Sequence, residues 1–325
     1  MKAIALFSGG LDSVLAMKLM IDQGIDVVAL NINTGFGSTQ DRYEHMQSMC
    51  EQIGATLKIV DIQSQFLQDV LFDPKHGYGK NFNPCIDCHA NMFAVAKKVM
   101  EAEGASFLVS GEVMGQRPMS QNKDAMQMVL DDSNCDGILL RPLSAKKLAP
   151  TIPEQEGWVD RDKLESIFGR SRERQLQMAK EIGLQNFESP GGGCLLTDEN
   201  FAKKMFDFIK YDKFEVKDIP VVKYGRHFRL PDGAKLVIGR NKEENQHLQE
   251  IENEKYYHIK TVGIPGPHAL LSKTATQADR ELSAKGILSY TKASPDVEYT
   301  VAFDGIELNT TPFSSRDVMR EYSLL

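Results

Sequence analysis

The feature that most constrains this chain is a short glycine-containing loop near its start. An apolar run at residues 3–7 leads into the loop at residues 8–13, and apolar residues then recur with helical spacing. Consecutive glycines let backbone N–H groups approach an anion closely, and the first turn of a helix adds donors and a positive dipole end. The pattern predicts a strand, a phosphate-binding loop and a helix, although a simple Gly-Gly turn into a helix would share the same residues.

The loop differs from two common phosphate-binding sequences. It lacks the lysine of GxxxxGK[ST] and the spacing of GxGxxG, so neither ordinary phosphoryl transfer nor dinucleotide binding is predicted. Its sequence, SGGLDS, resembles the PP-loop, SGGxDS, of the ATP pyrophosphatases. Those enzymes cleave ATP between the α- and β-phosphates and adenylate a carbonyl or amide oxygen, so that a nucleophile can displace AMP. The resemblance implies ATP and Mg²⁺ as cofactors, with pyrophosphate held by Ser8, Gly9, Gly10 and Ser13 and Mg²⁺ placed with the help of Asp12.

Composition narrows the class of protein. A chain of 325 residues with 42% hydrophobic content can bury a large core and is expected to form two domains. No apolar run approaches the length of a membrane span, and the first residues lead directly into a strand, so we expect no membrane association and a cytoplasmic location. In a reducing compartment, clustered members of the five cysteines favour metal or redox chemistry over disulfides.

Charge does not by itself indicate a nucleic-acid binder. The formal net charge is -7, which disfavours contact with a polyanion. The excess of acidic residues lies before residue 200, since the remainder of the chain has 19 basic and 18 acidic residues. The second part of the chain is therefore less repulsive to RNA than the first.

Alternating patterns predict the fold. Short apolar runs at 3–7, 27–32, 57–60, 107–109 and 138–140 read as buried strands, and helical patterns lie at 12–22, 43–53 and 90–103. This alternation predicts an α/β domain at residues 1–190 with a doubly wound parallel sheet, whose ligands bind at the carboxyl ends of the strands. The resemblance to PP-loop proteins implies the same fold, called adenine nucleotide α-hydrolase-like.

The second part has a different pattern. Alternating runs at 228–230, 235–238, 256–259, 269–271 and 299–302 are separated by Pro-Asp-Gly and Gly-Pro turns. They predict a second, smaller α+β domain at residues 201–325, with one small sheet and one or two helices.

A segment after the fourth predicted strand narrows the family. Residues 109–116 read VSGEVMGQ, Ser120 and Gln121 follow, and LRPL stands at 140–143. Together these motifs resemble the catalytic domain of the tRNA 4-thiouridine synthases. The resemblance implies that Gly111 and Glu112 border the nucleotide. It also implies that Gln116 and Arg117 reach phosphate or RNA. Asn31, at the end of the second predicted strand, is assigned to the same ATP site.

The predicted chemistry depends on cysteines. Cys85 and Cys88 form a C-x-x-C just before a predicted helix, and Cys194 follows three glycines. A helix N-terminus lowers a thiol pKa, and this spacing lets two thiolates face one ion or cluster. Three cysteines can supply three of the four iron positions of a [4Fe–4S] cluster and leave one iron open for sulfide. This arrangement resembles the iron–sulfur class of tRNA thiolation enzymes.

Other interpretations of these cysteines remain open. A persulfide mechanism would pair Cys194 with Cys85 or Cys88 and needs no metal. A structural zinc site would add His89 or His76, and simple packing is the remaining interpretation. Cys50 and Cys135 are expected to be packing residues, because a lone cysteine usually behaves as a small apolar side chain.

The second domain resembles the RNA-binding domain of the NFACT family. The resemblance rests on LVIGRNKEEN at 236–245 and GIPGPHA at 263–269. It implies that the RNA contacts are made by Arg240, Asn241, Lys242 and His268, with Tyr257 and His258 beside them. A packing or dimerisation domain without an RNA role is the alternative.

Together these patterns predict ATP-dependent thiolation of a tRNA uridine. ATP and Mg²⁺ would adenylate a uridine carbonyl oxygen, and sulfur from a cluster or a persulfide would then displace AMP. The predicted catalytic residues are Asp12, Cys85, Cys88 and Cys194, and the sulfur would come from a cysteine desulfurase or free sulfide. Two alternatives are a PP-loop enzyme with a small-molecule acceptor and an RNA-binding factor regulated by nucleotide.

Overall fold

The computed structural model describes residues 1–37, 43–187 and 194–325. The chain divides into two compact units, Met1–Leu195 and Leu196–Leu325. The three glycines at 191–193, which the sequence analysis places before Cys194, lie outside the described residues. Within the described ranges, no helix is both long enough and apolar enough to cross a membrane.

The first unit is built on a parallel sheet. Its strands are β1 (Lys2–Leu6), β2 (Asp26–Asn33), β3 (Thr56–Asp61), β4 (Phe107–Ser110) and β5 (Leu139–Leu140). Their order is β3-β2-β1-β4-β5, and each neighbouring pair is parallel. The chain moves outward from β1 in both directions, so a crevice for ligands opens at the carboxyl end of β1. The predicted doubly wound parallel sheet is confirmed.

Helices cover both faces of this sheet. They are α1 (Leu11–Ile21), α2 (Tyr43–Ile53), α3 (Gln63–Phe66), α4 (Cys85–Ala102), α5 (Lys123–Ser133), α6 (Ile152–Gln155) and α7 (Glu173–Glu181). Alternate residues of β1 face opposite sides: Ala3 and Ala5 pack with α1, α2 and α7, whereas Ile4 packs with α4 and α5. This alternation follows from the two-residue period of a strand.

Two local predictions for this unit are wrong. β3 is not a buried strand, because it lies at the sheet edge with only β2 beside it, and Ile59 is 42% exposed. Helix α4 begins at Cys85 rather than near Ala90, with Pro84 as the residue before it. Cys85 and Cys88 therefore lie within the first turn of the helix and not before it. The sequence pattern missed this start because the residue before the helix, Pro84, provides no side-chain cap to mark it.

The second unit contains an antiparallel sheet. Its strands are β6 (Arg226–Arg229), β7 (Lys235–Ile238), β8 (Tyr256–Val262), β9 (Ala269–Ser272), β10 (Tyr299–Phe303) and β11 (Ile306–Thr310). Their order is β11-β10-β8-β9-β7-β6. The sequence analysis missed β11, although Asp304 and Gly305 between β10 and β11 form the Asp-Gly type of tight hairpin, with φ of 46° and 93°.

The helices of the second unit also differ from the prediction. The described residues 196–325 contain four α-helices rather than one or two: α8 (Glu199–Tyr211), α9 (Ile219–Lys223), α10 (Lys242–Gln249) and α11 (Gln277–Leu288). α9 and α10 are short, so the window in which helical periodicity can be recognised is small. The six-stranded sheet with these helices confirms the α+β class of the second domain.

A short 3-10 helix at Arg316–Tyr322 closes the core of the second unit. Met319 is fully buried and packs against α11 at Gly286, where a Cβ atom would lie 2.7 Å from the Met319 Sδ atom. Ser323 then forms an antiparallel bridge with Phe228 in β6. These contacts fix the position of the 3-10 helix against the sheet.

Replacing Met319 with alanine is expected to destabilise the second unit by about 2 to 5 kcal/mol, because the change leaves a cavity in the core. Urea unfolding followed by circular dichroism measures the change. The matched control is Met128→Ala, since Met128 lies on α5 and is 42% exposed; its effect should stay within about 0.5 kcal/mol. Equal effects of the two substitutions would show that Met319 does not anchor the 3-10 helix.

Candidate functional site

The loop at the carboxyl end of β1 has the geometry of an anion site. Gly9 has φ of +81°, and α1 begins directly after Gly10, which provides no side-chain cap. The Ser13 hydroxyl donates to the Gly10 carbonyl at 2.7 Å. The first N–H groups of α1 therefore remain available for a ligand, at the positive end of the helix dipole.

Asp12 lies in the first turn of α1 and is held by two neighbours. Its Oδ2 atom accepts a hydrogen bond from Gln116 Nε2 at 2.8 Å and lies 3.4 Å from the Arg172 guanidinium. Its Oδ1 atom is buried and has no hydrogen-bond partner among the residues that the structure describes. An oriented carboxylate oxygen of this kind suits Mg²⁺, which prefers oxygen ligands and keeps several waters. The residues present therefore fit the ion that the PP-loop resemblance implies.

The sequence analysis did not assign α7 or the residue before it to this site. Arg172 directly precedes α7 and contacts Asp12, and Gln175 on the first turns of α7 donates to Gln116 Oε1 at 3.2 Å. Gln175 is fully buried. No motif pointed to this contact, because about 160 residues of chain separate Asp12 from Arg172.

Gly111 lies against the phosphate loop. It follows β4 at its carboxyl end, and a Cβ atom there would come within 2.6 Å of Ser13 N and Cα and 2.7 Å of the Asp12 carbonyl carbon. Real Cβ atoms do not approach backbone this closely. The site therefore requires glycine at this position.

Glu112 is the centre of a buried ion cluster. Its carboxylate accepts from Arg141 Nε at 2.8 Å and lies 2.9 Å from His89 Nδ1. Burial alone would raise the pKa of Glu112, but the charges of Arg141 and His89 and their hydrogen bonds lower it to about 2. The carboxylate is therefore ionised at neutral pH, and it fixes His89 on α4 relative to the segment after β4.

Three cysteines come together at the start of α4. Cys85 and Cys88 lie in its first turn, and Leu195 N donates to Phe36 O at 3.0 Å, which holds the segment of Cys194 beside the loop after β2. Burial raises the pKa of the Cys88 thiol, and the charges of Cys194, Cys85 and Asp87 raise it further. The expected lowering of this pKa by the helix N-terminus is therefore wrong for Cys88, because burial and nearby anionic groups outweigh the dipole.

A continuous path connects the phosphate loop with these cysteines. Asp12 and Ser13 touch Gly111, the next residue Glu112 binds His89, and His89 follows Cys88 in α4. Sequence spacing could not show this path, because it joins three separate segments. The nucleotide site and the cysteine site thus form one continuous region of the first unit.

The geometry argues against a structural zinc ion at the cysteines. No three His, Cys, Asp or Glu side chains within 1–37, 43–187 and 194–325 are placed to share one ion. His89 binds Glu112, and His76 Nε2 lies 2.6 Å from Asp132. A single zinc requires all ligands within about 2.0–2.3 Å of one point.

The remaining residues predicted for the first unit have simpler surroundings. Asn31 Nδ2 donates to Phe7 O at 2.8 Å and so ties the end of β2 to the end of β1. Arg117 is exposed. Cys50 and Cys135 are fully buried, and burial raises the pKa of both thiols, so they pack in the core as expected.

The residues predicted to contact RNA lie around the start of α10. Asn241 caps this helix by accepting from Glu244 N at 2.9 Å, Arg240 forms an ion pair with Glu244, and Lys242 is exposed. Gly239 N donates to His268 O at 3.0 Å, which brings His268 to the same place. His268 Nε2 lies 2.9 Å from His258 Nδ1, and burial together with that neighbour lowers the pKa of His268 to about 4.

Replacing Gly111 with alanine is expected to weaken ATP binding at least about tenfold, because the added methyl group displaces the backbone of the phosphate loop. Isothermal titration calorimetry measures the dissociation constant. Gly24→Ala is the control: Gly24 lies beyond the far end of α1 with φ of +79° and open space around it. It should cost stability through backbone strain but keep ATP affinity. Unchanged affinity in Gly111→Ala would contradict the contact.

Replacing Arg141 with glutamine is expected to destabilise the first unit by about 3 kcal/mol near neutral pH, because the Glu112 carboxylate loses a buried partner. In the native chain the pKa of Glu112 is about 2, below the 4.5 of an unperturbed glutamate. Its contribution to stability is therefore full above pH 4.5 and is lost as the pH falls toward 2.

The destabilisation by Arg141→Gln should accordingly shrink as the pH drops below 4.5. Urea unfolding at neutral pH and near pH 4 measures both values. Arg174→Gln is the matched control, since Arg174 pairs with Glu165 and Glu181 at a more exposed position and should cost no more than about 1 kcal/mol. A loss for Arg141→Gln that does not vary with pH would contradict the assigned role of Glu112.

Comparison with known proteins gives the same division of the chain. Residues 1–148 match the family described as thiamine biosynthesis protein (ThiI), and residues 225–322 match the family described as NFACT protein RNA binding domain. A curated relative from Francisella tularensis subsp. novicida, the tRNA-specific 2-thiouridylase MnmA, is 24% identical over 238 residues. The corresponding protein of Francisella philomiragia is 23% identical. The match covers 70% of this chain and 63% of each relative's length.

Solved structures with similarity to the chain include a 4-thiouridine synthetase in complex with RNA and bound ATP. It has 19% identity and a TM-score of 0.39, and covers 68% of this chain and 52% of that one. A predicted subunit of tRNA methyltransferase from Methanocaldococcus jannaschii has 17% identity and a TM-score of 0.35, and covers 56% and 76% of the two chains.

Both resemblances predicted from the sequence are confirmed by the family matches. The SGGLDS loop and the Gly111-Glu112 segment lie within residues 1–148, and Arg240 and His268 lie within residues 225–322. Residues 1–148 are therefore similar to the ThiI family, and residues 225–322 are similar to the RNA-binding domain of the NFACT family.

Proposed function

We propose that the protein is an ATP-dependent tRNA sulfurtransferase that replaces a uridine carbonyl oxygen with sulfur. The observation that carries this proposal is the continuous path from Asp12 through Gly111, Glu112 and His89 to Cys88. An enzyme that activates an oxygen with ATP and then delivers sulfur to the same carbon needs both sites within reach of one substrate atom. Relatives named as tRNA-specific 2-thiouridylases support the choice of tRNA as substrate.

The first step is adenylation. The uridine carbonyl oxygen attacks the α-phosphorus of ATP, and pyrophosphate leaves from the glycine loop. Ser8, Gly9, Gly10 and Ser13 surround the pyrophosphate position, and the uncapped start of α1 stabilises its negative charge. Asp12 Oδ1 would hold Mg²⁺, which neutralises charge on the phosphates. Asn31, Gly111 and Glu112 shape the nucleotide site.

The second step replaces AMP by sulfur. AMP is a good leaving group where hydroxide is a poor one, so a sulfur nucleophile can complete the substitution. Cys85, Cys88 and Cys194 would hold a [4Fe–4S] cluster, which supplies an open iron for sulfide. Two features support this assignment: the three thiols influence one another electrostatically, and thiolates are the soft ligands that iron–sulfur clusters take.

A metal-free persulfide mechanism is the competing version of the same function. The terminal sulfur of a cysteine persulfide would attack the adenylated carbon as AMP leaves. A second cysteine thiolate would then attack the remaining cysteine sulfur, releasing the thiouridine and forming a disulfide. An external dithiol must supply two electrons to restore the pair. The convergence of the thiols accommodates this version too, so the sulfur carrier needs its own measurement.

The second unit would bind the tRNA. We propose that Arg240, Asn241, Lys242 and His268 contact RNA there and that exposed Arg117 contacts it on the first unit. The sulfur donor would be free sulfide or a cysteine desulfurase. Sulfide can serve the cluster mechanism, whereas the persulfide mechanism needs the desulfurase, because only a persulfide donor transfers sulfur at the required oxidation level. ATP, tRNA and reduced sulfur are available together in the cytoplasm, where we propose that the enzyme acts.

Replacing Asp12 with asparagine is expected to reduce formation of thiouridine at least about a hundredfold, because the ion and the transferring phosphates lose a charged partner. Unmodified tRNA is incubated anaerobically with protein, ATP, Mg²⁺ and sulfide, and its nucleosides are analysed by mass spectrometry. Asp22→Asn, at the C-terminal end of α1, is the control and should keep full activity. AMP release without any thionucleoside in the native protein would favour a small-molecule acceptor.

Serine at Cys85, Cys88 or Cys194 is expected to abolish thiolation under either sulfur mechanism. Cys135→Ala is the matched control, since Cys135 is buried away from this group against Phe93. Iron analysis of anaerobically prepared protein separates the mechanisms. Iron that is lost in all three serine variants supports the cluster. Full activity without iron when a cysteine desulfurase and cysteine supply the sulfur, together with a disulfide after one turnover, contradicts the cluster and supports the persulfide.

A further inference from the structure

A polar cavity of about 360 Å³ lies in the second unit beside the residues proposed to contact RNA. Arg226 from β6, Arg240 before α10 and Arg316 from the C-terminal 3-10 helix line it, together with Tyr290. Arg226, Tyr290 and Arg316 also line an adjoining cavity of about 250 Å³, which Arg320 and its ion-pair partner Asp317 complete. The larger volume is in the range of small-ligand sites and exceeds what a lone phosphate ion requires.

Two of the four arginines have no acidic partner among the described residues. Arg240 pairs with Glu244 and Arg320 with Asp317. Arg226, in contrast, donates weakly to Gly239 O at 3.4 Å and lies 5.0 Å from the centre of the Tyr290 ring. Arg316 is exposed, and neither Arg226 nor Arg316 has an ion-pair partner in the part of the chain that the structure describes. Two guanidinium groups without carboxylates at one cavity create a site for an anion.

The residues around the cavity are held in place. Buried Met319 anchors the 3-10 helix that carries Arg316, and Arg226 belongs to β6, which pairs with β7. Burial raises the pKa of Tyr290, whereas the charges of Arg226, Arg316 and Arg320 lower it, so all three act on this ring. A preformed site loses little conformational entropy when a ligand binds.

We propose that this pocket binds a phosphate-bearing nucleotide of an RNA strand, with the phosphate on Arg226 and Arg316 and the nucleoside against Tyr290. The charge of the guanidinium groups selects the phosphate, and the aromatic ring favours a base or ribose beside it. The choice of RNA as the source rests on the proposed function. The sequence analysis did not identify Arg316 or Tyr290, because 90 residues separate Arg226 from Arg316.

The test measures binding of a fluorescent tRNA transcript to the full chain at several salt concentrations. Arg316→Gln is expected to weaken binding about tenfold, as loss of a charged hydrogen bond does. It should also reduce the slope of log affinity against log salt by about one. Lys273→Gln is the matched control, because it also removes one positive charge. Lys273 follows the end of β9, whereas the cavity-lining Gly266 precedes the start of that strand. A parallel titration uses uridine monophosphate, which avoids confusion with adenine nucleotides at the phosphate loop.

Each outcome decides the proposal. The pocket is supported if Arg316→Gln weakens tRNA binding and reduces the slope of log affinity against log salt, while Lys273→Gln keeps the native affinity and slope. Native tRNA binding by both variants overturns the pocket. If both variants also thiolate tRNA, the proposed function still stands. If the native chain binds no tRNA, the proposed function fails. Uridine monophosphate binding that is lost in Arg316→Gln would then support the pocket with a free nucleotide as its ligand, and its absence would overturn the pocket.

Discussion

The arrangement of the first unit depends on one buried carboxylate, Glu112. It sits between Arg141, after β5, and His89, on α4, and so joins the two sides of the crevice at the carboxyl end of the sheet. Gly111 beside it allows β4 to lie against the phosphate loop. A buried ion cluster is worth little as a source of stability compared with apolar packing, but breaking it is expensive, so it fixes one geometry. That geometry links the start of α4, which carries Cys85 and Cys88, to the phosphate loop through Glu112 and Gly111.

The two units divide the requirements of the proposed reaction. The first provides an uncapped helix start for phosphate and three convergent thiols. It also provides an Asp12 oxygen that has no hydrogen-bond partner within residues 1–37, 43–187 and 194–325 and could bind a cation. The second compensates for the acidic character of the chain by concentrating arginines around one polar cavity. Overall charge is therefore a poor guide to the proposed RNA binding, because the relevant field is local and neither Arg226 nor Arg316 pairs with a carboxylate among the residues that the structure describes.

Local sequence patterns predicted the architecture well and the contacts of the site less well. The apolar period of the strands and the SGGLDS loop identified the parallel sheet and its phosphate loop, since both depend on neighbouring residues. The ion cluster of Glu112 and the contact of Arg172 with Asp12 depend on segments far apart in the chain, which no local pattern encodes. β11 was missed although its Asp-Gly turn was visible. The pKa of Cys88 was misjudged because burial, which opposes the helix dipole, is a tertiary property.

The central claim is that ATP activates the uridine oxygen that sulfur then replaces. The most direct test uses tRNA in which the target uridine carbonyl oxygen is labelled with the heavy isotope ¹⁸O, incubated with the native chain, ATP, Mg²⁺ and sulfide. Mass spectrometry of the products follows the label. The account predicts that the heavy oxygen appears in AMP in equal amount to the thiouridine formed. Thiouridine accompanied by unlabelled AMP would contradict it, because the oxygen would then have left without being adenylated.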